Sequence, residues 1–111
     1  MDLNVKEVLS AAFLVDNSSD ESRTFMIEAE VRIKRDGKLE RVENGVVRSL
    51  DAGDAKTNVA TFHRWDNGSA NLATSRAMST DEHLALTKMC LDFIEAAAAG
   101  AAAYFPSEQK E

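Results

Sequence analysis

Residues 24–34 alternate strictly. Phe25, Ile27, Ala29, Val31 and Ile33 take one set of positions, and Thr24, Met26, Glu28, Glu30, Arg32 and Lys34 take the other. A period of two places the first set on one face of a strand, so the stretch predicts an antiparallel strand with a core face and a wet face. Asp36-Gly37 follows, a pair that supplies tight hairpin turns, and residues 38–50 return as the partner strand. The return pattern breaks at Asn44-Gly45, which predicts a bulge or sharp bend that would curl the sheet around whatever covers it. Residues 57–65 form the next strand, with Val59, Thr61, His63 and Trp65 on one side and Ala60, Phe62 and Arg64 on the other. Asp66-Asn67-Gly68 is a second turn, and residues 69–75 come back as a weak strand of small residues that leaves space above the sheet. Upstream, residues 5–15 read as a first strand with Leu9, Ala11, Phe13 and Val15 sharing a face, against a short helix over residues 3–9. The polar stretches 16–22 and 51–56 read as loops.

The period changes at residue 79. Leu86, Cys90, Phe93, Ala97, Ala101 and Tyr104 recur at steps of three and four, Leu84, Leu91, Ile94 and Ala98 widen the stripe, and Lys88, Asp92 and Glu95 mark a polar face. Ser79 with Glu82 has capping-box spacing, and Asp81 and Glu82 place negative charge at the first turn, where the helix dipole favours it. Pro106 is the stop signal, giving a helix of about 25 residues and about 37 Å. Residues 96–103 are alanine apart from Gly100. Alanines hold a helix but bury little area; they permit close approach of a second copy across a two-fold axis, lie flat over larger side chains of the sheet, or project as a solvated spacer.

These elements predict an α+β fold: a curved antiparallel sheet of four to five strands, built from two hairpins and covered by one long C-terminal helix. Residues 1–105 are read as a single domain and 106–111 as a disordered tail. Composition adds exclusions. A net charge of −6 and a pI near 4.9 argue against a nucleic-acid-coating role. A single cysteine, Cys90, permits no internal disulfide and fits a reducing, cytoplasmic setting. The opening residues lack a secretory pattern, and no run of apolar residues is long enough to span a membrane.

Candidate chemistry is thin. Asp16, Ser18 and Asp20 imitate the start of a calcium loop, but Glu21 stands where that loop needs glycine and Ile27 where it needs glutamate. Two glycosylation-type triplets, Asn17-Ser18-Ser19 and Asn67-Gly68-Ser69, are read as chance. His63 or His83 could serve as a general base, and His63, Asp66 and His83 could meet around a metal only if the second hairpin touched the helix start; neither spacing requires it. Cys90 sits on the apolar stripe and reads as a small core hydrophobe. No residue is assigned a catalytic role, and no metal or cofactor is expected. Residues 32–48 carry six bases and three acids, a basic hairpin on an acidic chain, which reads as a charged sheet edge or a dock for an acidic partner.

The sequence therefore points to a non-enzymatic protein–protein interaction module that works as a homodimer, with an unknown protein as a further partner. Ala96, Ala97, Gly100, Ala101 and Tyr104 are its candidate interface, with a sheet edge as a further candidate. The alternative is a small-molecule-binding cone with a pocket between sheet and helix, lined by Phe62, Trp65 and Tyr104.

Overall fold

The structure, a computed structural model, describes residues 1–9, 12–49, 58–74 and 77–104, with Leu9, Ser49 and residues 101–104 given by their backbone alone. Six strands are followed by one helix: β1 (Asn4–Leu9), β2 (Ala12–Asp16), β3 (Phe25–Ile33), β4 (Leu39–Ser49), β5 (Asn58–Arg64), β6 (Ala70–Thr74) and α1 (Thr80–Tyr104). The sheet is a simple meander in the order β1-β2-β3-β4-β5-β6, every neighbour antiparallel. The α+β architecture with a C-terminal helix follows the sequence pattern, but the strands number six rather than four to five.

The extra strand comes from residues 5–15, which are two strands and not one. Leu9 pairs with Ala12 and Val5 with Val15, so the chain doubles back on itself, while Ala11 lies outside the described residues. Folded this way, β2 is sandwiched between β1 and β3, and Phe13 and Val15 enter the core. The two other hairpins close alike. Lys34 N–H donates to the Lys38 carbonyl at 2.8 Å and Gly37 N–H to the Lys34 carbonyl at 2.9 Å; likewise Trp65 N–H donates to the Ser69 carbonyl at 2.9 Å and Gly68 N–H to the Trp65 carbonyl at 3.0 Å. Gly37 and Gly68 take φ of 86° and 90°, so each loop spans three residues and ends on a left-handed glycine, one residue longer than a two-residue Asp-Gly turn. Asp36 Oδ1 and Asn67 Oδ1 each accept the backbone N–H two residues on, at 3.0 Å, which fixes the turn before them.

The expected break in β4 is a bulge. Val42 faces Val31 and Val47 faces Ile27, but between them Asn44 and Gly45 oppose the single residue Ala29, and the register to β5 shifts at the same place. Asn44 takes φ of 52°, a conformation that asparagine tolerates better than most residues.

The core lies between one face of the sheet and the helix. Ile27, Val31, Val42, Val47, Ala60 and Phe62 meet Leu86, Cys90, Phe93 and Ala97. The Phe62 and Phe93 rings stand edge to face at 5.8 Å, which ties β5 to the middle of α1. At the helix start, Ser79 Oγ accepts the Glu82 N–H and donates to Glu82 Oε1, both at 3.2 Å, and Lys88 pairs with Asp92 at 3.1 Å. Pro106, the expected stop, and the proposed tail lie outside the described residues.

Candidate functional site

The helix is buried along a narrow stripe, narrower than the sequence suggests. Spacing groups Leu84 and Leu91 with the core positions, yet they stand 61% and 49% exposed. At about 100° per residue they lie roughly 150° around the helix from the Leu86–Cys90–Phe93–Ala97 line. One flat sheet covers only one side of a helix, so a stripe widened this far cannot all be buried. Ala98, seven residues past Leu91, is exposed on the same flank.

That flank overhangs the last strand. A half-open cleft of about 260 Å³ separates α1 from β6, lined from the helix by Thr87, Cys90, Leu91 and Ile94 and from the sheet by Phe62 and the β6 stretch Ala70-Asn71-Leu72. The small residues of β6 leave the space that the sequence anticipated there, and Leu72 pairs with Phe62 across the ladder, placing both on the covered face. Among the described residues β6 is also the terminal strand of the sheet, and no further strand pairs with its outer backbone edge. It reads Ala-Asn-Leu-Ala-Thr, without charge or proline, and its register to β5 runs unbroken.

The opposite edge is built differently. β1 carries Lys6 and Glu7, Lys6 pairs with Glu28 at 2.8 Å, and the β1 register shifts between Val5 and Glu7. Charge and bulge are the devices that keep a sheet edge from pairing with another chain. Glu28 beside Lys6 raises the lysine pKa by hydrogen bonding and charge.

The aromatic candidates do not share a site. Phe62 lines the cleft, whereas Trp65 is 40% exposed on the other face of the sheet, its ring edge-on to His63 at 4.6 Å. The two lie in a shallow hollow of about 180 Å³ beside Arg41, Glu43, Asn44 and Arg64. The Tyr104 side chain lies outside the described residues. Because Phe62 faces the helix, His63 projects away from it, and His83 sits exposed in the first helical turn of the covering layer. The two histidines therefore do not converge. Among the described residues no three of His, Cys, Asp and Glu are gathered as a metal site would need. In the 16–22 loop the carboxylates are engaged locally: Asp16 Oδ1 accepts from Ser18 N–H and Oγ–H, and Asp20 Oδ1 from Ser22 N–H and Oγ–H. The Ser22 bonds hold the Asp20 carboxyl below the ordinary carboxylate range.

Of the candidate interface, Ala97 is fully buried against the chain's own sheet and Ala96 and Gly100 are half-buried, while the Ala101 side chain lies outside the described residues. In the basic hairpin two arginines share one carboxylate where the strands cross. Arg32 reaches Glu43 at 3.0 Å, and Arg41 reaches Glu43 at 3.1 Å. Among the described residues no helix is long and apolar enough to cross a membrane.

Cys90 forms part of the cleft floor, and burial pushes its thiol up to about 12. The unfolded thiol ionises near pH 8.5, so above that the unfolded state releases a proton the folded state retains. Stability is then intact below pH 8.5 and falls by about 1.4 kcal/mol per pH unit until the folded pKa is reached. Urea titrations between pH 8 and 10.5 should show this slope for the parent protein and its absence in Cys90→Ala; equal slopes would mean the thiol is already wet.

No family model, curated protein or solved structure matches the chain. The functional reading rests on the rim between β6 and α1. Sequence reasoning anticipates the space above β6 but centres the interface on Ala96–Tyr104, although an uncharged ANLAT strand and leucines seven apart at 84 and 91 are the visible signals of the rim.

Proposed function

We propose that the protein is a protein–protein interaction module that works as a homodimer and meets its second copy along the rim formed by β6 and the outer flank of α1. One observation carries this reading. Leu84 and Leu91 are exposed on the flank beside an apolar cleft and an uncharged edge strand, so apolar side chains and unpaired backbone occur together. Contiguous exposed apolar surface of this kind marks interaction sites on soluble domains. The contact runs along Leu84, Leu91 and Ala98 rather than along Ala97, which the protomer itself buries.

A second reading has its own support. The same cleft, about 260 Å³ and walled by Phe62, Leu72 and Ile94, suits a small apolar ligand. Native mass spectrometry at two protein concentrations separates the two. A concentration-dependent dimer of the bare chain that Leu91→Glu converts to monomer supports the module. A monomer at tens of micromolar overturns it, and a monomer carrying extra mass favours the ligand.

A further inference from the structure

We infer that two copies join by antiparallel pairing of β6 with β6, centred on Leu72, so that the two six-stranded sheets become one continuous sheet across a two-fold axis; this rests on the homodimer reading above.

The backbone gives the geometry. Trp65 N–H donates to the Ser69 carbonyl, which makes Trp65–Ser69 a hydrogen-bonded pair. Antiparallel ladders alternate bonded and non-bonded pairs, so with the register Arg64↔Ala70, His63↔Asn71, Phe62↔Leu72, Thr61↔Ala73 and Ala60↔Thr74, the residues of β6 that bond to β5 are Asn71 and Ala73. The N–H and C=O groups of Ala70, Leu72 and Thr74 point out from the sheet edge. These three are symmetric about Leu72. A two-fold axis there sets Leu72 against Leu72 of the second copy and Ala70 against Thr74, each a bonded pair, and every outward group of the strand finds a partner.

Side chains agree with the backbone. On the outer face Asn71 meets Ala73, neither of them charged, so no like charges are opposed. On the covered face the two Leu72 side chains meet, and the clefts under the two helices abut, bringing the exposed flank of each α1 toward the axis. The alternative of β6 adding to β1 of the next copy, head to tail, would run into Lys6, Glu7 and the β1 register shift. That edge is guarded, so the assembly closes at two copies instead of propagating as a fibre.

The register is tested by charge. Asn71 and Ala73 are exposed on the outer face, so both can be replaced without touching the core. The pair Asn71→Lys with Ala73→Lys sets lysine against lysine twice, and Asn71→Glu with Ala73→Glu does the same with carboxylates. Each variant alone should weaken the dimer at least tenfold by analytical ultracentrifugation. An equimolar mixture should give a heterodimer by native mass spectrometry, which also shows that both variants fold. If both variants dimerise like the parent while Leu91→Glu does not, the β6 pairing is wrong and the homodimer reading stands on the helix flank. A mixture of folded monomers also overturns the pairing, and a monomeric parent overturns both.

Discussion

Gly45→Ala will destabilise the protein by roughly 3 kcal/mol, the upper part of the range for overpacking a close-packed core. A β-carbon built at Gly45 would stand 2.5 Å from the Phe62 carbonyl oxygen, 2.6 Å from its Cε1 and 2.7 Å from its Cδ1. Real contacts of that kind do not approach so near, and the carbonyl belongs to the β4–β5 ladder, so it cannot swing away as a flexible side chain would. The ring is the softer of the two obstacles, because it borders the open cleft beside β6 while standing edge to face with Phe93 at 5.8 Å. The methyl group must therefore push two central strands apart. Chemical denaturation should show the loss directly. A variant within 0.5 kcal/mol of the parent, the usual scale of a neutral surface change, would mean that β4 and β5 are not so closely apposed there. A double-mutant cycle sharpens the test. Phe62→Leu alone costs core packing, but with Gly45→Ala it removes the ring clash and leaves the carbonyl clash. The two changes should then cost less together than the sum of each, with only partial rescue.

Gly45 also shows how much the sequence could say. Asn44-Gly45 breaks an alternating pattern and so announces a bulge, and a bulge stands there. Which residue does what was hidden. Asn-Gly pairs suggest a left-handed glycine, yet Asn44 carries the positive φ and Gly45 is small because Phe62 lies over it, a fact fixed by a strand seventeen residues away. Local signals were legible wherever local physics decides the outcome. Strict alternation gave β3, Asp-Gly and Asn-Gly gave the second and third hairpin turns, and Ser79 with Glu82 gave the helix start. The first hairpin was missed because Ser10-Ala11 offers no glycine, proline or asparagine to mark the reversal between Leu9 and Ala12. Spacing likewise assigns Leu84 and Leu91 to the apolar side of the helix. Only the width of the covering layer shows that they remain outside, and the candidate site follows from that.

The second large effect lies in a loop that reads as solvated. Asn17 is 1% exposed, and its side chain completes the sheet where β2 ends. Its Nδ2 donates to the Phe25 carbonyl at 2.9 Å, and its Oδ1 accepts the buried Ile27 N–H at 2.9 Å. The main chain adds a third bond, from Asn17 N–H to the Ile27 carbonyl at 3.1 Å. The amide thus serves as one more rung of the ladder, with donor and acceptor both in use, which is also why the Asn17-Ser18-Ser19 triplet is unsuited to carry a glycan. Asn17→Ala removes both side-chain bonds and leaves the buried Ile27 N–H and the half-buried Phe25 carbonyl unmet. At about 1–3 kcal/mol for the buried N–H and about 1 kcal/mol for the half-buried carbonyl, the expected loss is roughly 2–4 kcal/mol, a large share of a small domain's stability. Asn17→Asp separates hydrogen bonding from shape. One carboxylate oxygen can still accept from Ile27, but the other faces the Phe25 carbonyl, so the variant gains by binding a proton when folded. Its folded pKa is then raised above the ordinary 3.9 of an aspartate, and the variant's deficit is full at neutral pH. That deficit should shrink as pH falls through the raised folded pKa toward 3.9, because the protonated acid donates where the amide did. Thermal melts of the parent, Asn17→Ala and Asn17→Asp at pH 7 and pH 4.5 decide the matter. Only the aspartate variant should close its gap to the parent on acidification, whereas parallel losses in both variants would assign Asn17 a packing role alone.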